Sequence, residues 1–291
     1  MKKFKNIAIY SSKRSKSVIQ IAFQVIEILQ SQNINVFVSK SSSIPKNQFN
    51  KLHTDTFILE NSDLVIAIGG DGTLLSASRI FGSKGLPLLG INLGNLGFLT
   101  DIPPQELTKS INSILSGGFV VDERIFLEAR LNEKRIQGLA LNEAVIHSGS
   151  VAQLIEYELQ INDKLVYRQK ADGIIISTST GSTGYSLSGD GPILHPNVKG
   201  IVLNPMFPHT LNSRPLIVDD SSKIKISIVG KRRAMLSLDS HNFTNLKKGT
   251  EVFIQKSPVK LKLIHPLDHD FFSASRNKLG WSLDFFNPKE T

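Results

Sequence analysis

An α/β N-terminal domain on a parallel, doubly wound sheet, followed by a β-rich, sandwich-like C-terminal domain, is the fold class this sequence predicts. Three observations lead there. Over the first hundred residues, short apolar runs alternate with stretches of helical spacing, the mark of strand–helix–strand units. The pair Pro103-Pro104 then marks a boundary, since two prolines stop a sheet or start a helix. From there to about residue 263 the apolar runs are short and separated by turn residues, which favours antiparallel layers.

Residues 6–10 (NIAIY) are an apolar run with polar neighbours and read as a buried strand. Residues 18–30 place Ile21, Val25, Ile28 and Leu29 on one side and Gln20, Gln24 and Glu27 elsewhere, which predicts a helix. Residues 35–38, 63–68 (DLVIAI) and 86–92 (LPLLGIN) read as further strands, with a helix at 73–81. One more helix is predicted at 106–116, ended by Gly117-Gly118. The β-rich part holds runs at 125–131, 139–147, 155–161, 173–178, 223–229, 234–238 and 251–255. The tail carries Phe271, Phe272, Leu279, Trp281, Phe285 and Phe286, and aromatic area of that size calls for burial. The expected division is therefore 1–100, 101–265, and a tail over 266–291 that packs back onto a domain.

Composition excludes several function classes. With no cysteine, there is no disulfide framework, no Cys-ligated zinc or iron–sulfur site and no thiol nucleophile. That fits a reducing cytosol, and a cytoplasmic protein is expected. No run approaches the roughly 18 to 20 apolar residues of a membrane span, since the best stretch, 18–29, contains Gln20, Gln24 and Glu27. The net charge of +9 is dispersed, and the densest basic runs, 2–5 and 231–233, lack interleaved aromatics for stacking on bases. Neither nucleic acid nor a membrane is an expected partner. Small polyanions such as nucleotides suit the charge.

Familiar motifs fail one by one. Gly70-Asp71-Gly72 is followed by Leu75 where a dinucleotide fingerprint needs its third glycine, and Gly230-Lys231 runs into Arg232 rather than the Ser or Thr of a P-loop. Residues 184–188 (GYSLS) miss the nucleophile elbow by their last residue. His265 and His269 are four apart, but Pro266 between them opposes a zinc-binding helix.

Four stretches carry the chemistry. In the first, the strand at 63–68 runs into Gly69-Gly70-Asp71-Gly72-Thr73, after which a helix opens. Glycines let a ligand approach the backbone, and unpaired N–H groups at a helix start suit phosphate. Asp71 is the one carboxylate in that turn, at the carboxyl end of a strand, where open α/β sheets place ligands; a tight turn with Asp71 as N-cap is the plain alternative. The second, 90–101 (GINLGNLGFLTD), puts more glycines beyond the next strand, at the same edge of the sheet. The third is Asn142-Glu143 inside an apolar run, where both side chains need polar partners: an amide suits an adenine edge, a carboxylate suits ribose hydroxyls, and a solvated edge strand is the alternative. In the fourth, the strand at 173–178 leads into fifteen residues, 177–191, that are nearly all small, hydroxylated or glycine, with Tyr185 available to stack. Such a stretch offers donors around a polar ligand rather than a core.

The turn at 69–73 alone also occurs in lipid kinases of the diacylglycerol and sphingosine type. Combined, in this order, with 90–99, Asn142-Glu143 and 172–194, it resembles the NAD kinase family over about residues 60–195. The resemblance implies a Rossmann-like N-terminal domain, a β-rich C-terminal domain, and ATP-dependent phosphorylation of the adenosine-ribose 2′-hydroxyl of NAD to give NADP. It also implies a divalent metal (Mg²⁺ or Mn²⁺) and a homo-oligomer, dimer or tetramer, whose neighbouring subunits complete the sites. The family's catalytic Asp falls on Asp71 with Gly72 beside it, and Gly69, Gly70 and Thr73 fall at the phosphates. The pair holding the nucleoside falls on Asn142 and Glu143, and a ligand-contacting Asp falls on Asp172, with Lys170 just before it. The dinucleotide loop falls on Thr183, Gly184, Tyr185, Ser186, Leu187 and Ser188. This chain departs from the family in Ser179 for Pro, Gly184 for Ala, Gly189-Asp190-Gly191 for Ala-Gly-Gly, and His241 for a common Gln. No metal ligand is assigned, and Asp71 suits either a base or a metal ligand. A lipid kinase would need no Asn-Glu pair or hydroxylated loop, and a non-catalytic dinucleotide-binding module would have no use for Asp71.

Overall fold

The computed structural model describes residues 4–45, 51–94, 97–132, 134–149, 153–210 and 212–281. These form two compact units, one made of the residues up to Glu123 together with those from Leu261 on, the other of Arg124–Lys260.

The first unit contains β1 (Asn6–Tyr10), α1 (Lys16–Ser31), β2 (Asn35–Val38), α2 (Asp55–Asn61), β3 (Leu64–Ile68), α3 (Asp71–Ile80), β4 (Leu88–Ile91) and α4 (Leu107–Leu115). The strands pair in parallel in the order β2-β1-β3-β4. β3 and β4 are buried throughout, as expected of a sheet covered on both faces. Ser15 caps α1 by accepting from the Val18 N–H, and the predicted stripe of α1 is buried through Ile21, Val25 and Leu29. α2 escapes the sequence reading: of its seven residues only Ile58 is buried, too little to leave a period. The first unit extends past the expected boundary at residue 100, because α4 puts Leu107, Ile111 and Ile114 into the same core as α1.

β5 (Phe119–Leu131) leads from one unit to the other, and the second unit continues with β6 (Lys134–Ala140), β7 (Glu143–His147), β8 (Ile155–Ile161), β9 (Lys164–Ala171), β10 (Gly173–Thr178), α5 (Tyr185–Ser188), β11 (Gly200–Met206), β12 (Leu216–Asp219), β13 (Ile224–Ile228), β14 (Ala234–Leu238) and β15 (His241–Leu246). A six-stranded antiparallel sheet runs β12-β11-β10-β7-β14-β15. The last strand, β16 (Glu251–Pro266), pairs with β13 through Glu251 to Ile254, and β13 pairs with β8 and β8 with β9. Both layers contribute to one core, which includes Ile146, Ile174, Leu203 and Leu236 from the first and Tyr157, Ile226 and Val252 from the second.

Three sequence expectations change here. The single run at 139–147 is two strands, because the N–H groups of Leu141, Asn142 and Glu143 bond to the Asp239 carboxylate. β16 runs eleven residues beyond the expected 251–255: Pro258 interrupts the sequence signal but stands at an exposed position of the strand. The far end of β16 pairs in parallel with β4 through Leu263 and Ile264, in the first unit. After it, α6 (Phe271–Leu279) packs on that unit, with Ala274 and Ser275 buried and Phe271 against Phe98. Phe272 and Trp281 remain more than half-exposed or half-exposed, contrary to the expected burial, while Phe285 and Phe286 lie outside the described residues. Among the described residues, no helix is long and apolar enough to cross a membrane.

Candidate active site

In the first unit the glycine turn is built as the sequence suggests. β3 ends at Ile68, Gly69 turns with a φ of +152° that a side chain would resist, and its N–H bonds the Ile91 carbonyl at 2.8 Å. Gly70 is the N-cap of α3, so Asp71 is the first helical residue rather than the cap. Gly70 and Gly72 are exposed with open space above them, while Thr73 is buried and bonds Ser12 through their hydroxyls at 2.9 Å. The first N–H groups of a helix have no partner within it, and an anion is stabilised there.

The Asp71 carboxylate is gripped from two directions. Oδ2 accepts from the Phe98 N–H and Oδ1 from the Leu99 N–H, both at 3.1 Å, with the Thr100 hydroxyl at 3.4 Å. These donors belong to the second glycine stretch, which closes on itself as the Asn92 N–H bonds the Ile102 carbonyl. Asn95 and Leu96 of that stretch lie outside the described residues. From the tail, the Lys278 ammonium reaches Asp71 Oδ2 at 2.6 Å and stands 4.8 Å from the centre of the Phe98 ring. A partly exposed pair of this kind is worth at most about 1 kcal/mol of stability, so its effect is to fix a direction. Nothing in the sequence singled out Lys278, 207 residues downstream of its partner.

In the second unit polar groups gather around the break between β6 and β7. Asp239 and Ser240, both at positive φ, make the two-residue turn between β14 and β15. This aims the Asp239 carboxylate at three backbone N–H groups, those of Leu141 (2.7 Å), Asn142 (2.9 Å) and Glu143 (3.0 Å). Asn142 thus leaves the strand at a bend, whereas its apolar neighbours in sequence predict a continuous strand. Asn142 Oδ1, Glu143 Oε2 and Ser186 Oγ are buried and have no hydrogen-bond partner. Gly184 lies against this pair: a Cβ there would stand 3.1 Å from both Asn142 Nδ2 and Glu143 Oε2. Asn204, which the sequence reading passed over, holds the loop from below by donating to the Ser186 and Gly189 carbonyls.

Burial, reinforced by the neighbouring Asp239 charge, pushes the Glu143 carboxyl up to about 8, against the pull of the Tyr185 N–H. At neutral pH it is mostly a neutral acid that can donate as well as accept. The folded value lies above the 4.5 of an ordinary Glu, so the native state keeps this stabilisation in full below pH 4.5 and loses it as the pH rises through 8. Replacing Glu143→Gln should flatten that part of the melting-temperature profile; an unchanged slope between those pH values would contradict the assignment.

Two family models match the chain: the ATP-NAD kinase N-terminal domain over residues 7–119 and the ATP-NAD kinase C-terminal domain over residues 141–266. The chain belongs to the ATP-NAD kinase family. It is 41% identical to an NAD kinase of Teredinibacter turnerae over 97% of this chain and 98% of that one. It is 43% identical to an NAD kinase of Saccharophagus degradans over 89% and 90%. Among solved structures it resembles a yeast NADH kinase complexed with NADH, at 27% identity and a TM-score of 0.86 over all of this chain and 90% of the other. An NAD kinase from Archaeoglobus fulgidus in complex with ATP shares the fold, with a TM-score of 0.74 and 24% identity over 94% and 97%.

Within this chain the remaining site residues fall in two places. Thr183 bonds back to the Thr180 carbonyl, Leu187 is half-buried and Ser188 exposed; Tyr185 is 46% exposed and walls a cavity of about 570 Å³ shared with Ile175, Asp190, Asn204 and Phe207. His241 opens β15 beside Asp239, whose carbonyl its Nδ1 meets at 2.9 Å. Asp172 and Lys170 are elsewhere. The register sets Ser177 opposite Glu143 and Gly173 opposite His147, so Asp172, just before β10, stands five residues, about 17 Å, from the Glu143 position. Lys170 lines a separate cavity with Glu156, Lys231 and Arg232.

Proposed function

We propose that this enzyme transfers the γ-phosphoryl group of ATP to the 2′-hydroxyl of the adenosine ribose of NAD, with Asp71 accepting the hydroxyl proton. The observation carrying the reading is Asp71 itself: a lone carboxylate at the start of α3, held by the Phe98 and Leu99 N–H groups and by Lys278. Phosphoryl transfer depends on alignment and charge neutralisation, and a sugar hydroxyl attacks in line far better when a fixed base takes its proton. The N–H groups around Gly70 and Gly72 suit the phosphates, with Gly69 and Thr73 shaping the turn. Asn142 and the neutral Glu143 offer their unpartnered Oδ1 and Oε2 to the nucleoside, and Tyr185 offers a face for stacking. The loop from Thr183 to Ser188 encloses the rest of the dinucleotide. Incubation with ATP, Mg²⁺ and NAD should yield NADP; tight NAD binding without NADP would leave only a binding module.

A divalent metal fits this site chiefly as the partner of the triphosphate. Both Asp71 oxygens already accept hydrogen bonds, and among the described residues no group of three ligating side chains gathers around it. Mg²⁺ is commonly held by one or two carboxylates plus substrate phosphates, and Asp71 would be its protein contact. When bound, the ion neutralises charge building on the phosphoryl oxygens.

A homo-oligomer and a cytoplasmic location complete the proposal. The offset of five strand residues, about 17 Å, between Asp172 and Glu143 supports the first, since one protomer's Asp172 and Lys170 then serve its neighbour's site; the absence of cysteine supports the second. Mixing Asp71→Asn with Asp172→Asn should restore activity, up to about a quarter of wild type for a randomly mixed dimer, because one site of each heterodimer is intact. No recovery after subunit exchange would sink the shared site.

A further inference from the structure

Away from the residues assigned so far, one set of ligating side chains among the described residues stands together in the first unit. Asp101 directly follows the loop that holds Asp71, His265 lies near the end of β16, and His269 precedes α6. The chain makes no helix between the histidines, as Pro266 requires. A turn at 267–268 folds back instead, the His269 N–H bonds the Pro266 carbonyl, and the two imidazoles stack 3.9 Å apart at 17°. Both Nδ1 atoms point at one oxygen, Asp101 Oδ2, each at 2.8 Å. Burial alone would raise the Asp101 carboxyl, but the bonds from the two histidines hold it at about 2.

Hydrogen bonding alone leaves this cluster unbalanced. A carboxylate facing two donors is best satisfied with one on each oxygen, yet Oδ2 takes both and the buried Oδ1 has no partner. His265 is 1% exposed, and its Nε2 also lacks a hydrogen bond while facing Asp122 Oδ2 at 3.8 Å. With its proton on Nδ1, a neutral His265 turns a lone pair towards that carboxylate. Ligation through Nδ1 reverses the tautomer and sends an N–H towards Asp122, the way carboxylates orient metal-bound imidazoles.

We propose that Asp101, His265 and His269 form a site for a divalent transition ion of the zinc class, bound through the two Nδ1 atoms and the Asp101 carboxylate. Two imidazoles and one carboxylate suit such an ion, whereas Mg²⁺ favours oxygen ligands and keeps several waters. Around a tetrahedral ion with bonds of about 2.0–2.1 Å, adjacent ligand atoms stand about 3.3 Å apart, so each ring-to-oxygen gap opens by roughly half an ångström. The side chains of His269 and Asp101 keep 16% and 12% exposure, enough for water to take the fourth position. The ion ties the loop that supplies the Phe98 and Leu99 donors to the turn that starts the Lys278 helix.

The test uses the full-length, tag-free chain, stripped with a chelator and titrated with Zn²⁺ or Co²⁺ in excess Mg²⁺, which keeps oxygen-rich sites filled. One equivalent per chain is expected, with the visible bands of four-coordinate Co²⁺ and a melting temperature raised by Zn²⁺. His269→Phe keeps a ring against His265 and removes one ligand; it should weaken binding at least tenfold and abolish the Zn²⁺-dependent rise, each read against the variant's own metal-free melting temperature, which falls with the lost bond to Asp101. A wild-type chain that takes up no stoichiometric ion overturns the site, and so does His269→Phe binding as wild type does. The wild-type titration decides this whatever the variant does to folding.

Discussion

Replacing Asp71→Asn should lower kcat by about 10²- to 10⁴-fold, the range a positioned general base contributes, while NAD binding stays close to wild type. The amide keeps the shape of the carboxyl group but cannot take up the 2′-hydroxyl proton. It also turns donors towards at least one of the present donors, Phe98 N–H, Leu99 N–H and Lys278. Steady-state rates with calorimetric NAD titration separate the two effects: loss in turnover with binding intact marks an interaction made in the transition state. If kcat falls less than tenfold, Asp71 is not the base.

The second large effect is expected one shell out, at Gly97→Ala. A Cβ on Gly97 would lie 2.0 Å from Asp71 Oδ1 and 2.5 Å from the Thr100 hydroxyl, well inside any real contact. The carboxylate must move, or the loop must retreat and take the Phe98 and Leu99 donors with it. Misplacing a reacting group by about 1 Å costs on the order of 10²-fold in rate, so kcat should fall by about that much with the KM for NAD nearly unchanged. The contrast with Gly184→Ala is informative. There the nearest atoms are 3.1 Å away, and shifts of a few tenths of an ångström suffice. Wild-type turnover in Gly97→Ala would mean that the loop does not fix Asp71.

Much of this site could be read from local pattern. The turn at 69–73 announces itself because a strand ending in glycines before a helix is a local event, decided within a dozen residues. The strands at 6–10, 35–38 and 173–178 were delimited to the residue, since apolar runs with polar neighbours have one place to go. Asp239 was harder. Its importance lies in three N–H groups about a hundred residues away, and no spacing along the chain encodes that meeting. Lys278 is the same case, an ordinary lysine on an ordinary helix until α6 comes to rest beside Asp71.

The sequence by itself determined the two-part architecture, the family and the carboxylate at the start of α3, because periodicity, glycine placement and motif order are properties of neighbours along a chain. Tertiary structure alone decided which donors hold Asp71, that burial pushes the Glu143 carboxyl up to about 8, and that two histidines separated by a proline share one oxygen. Those outcomes depend on through-space distance and on the removal of water, and both are fixed only when residues remote in sequence pack together.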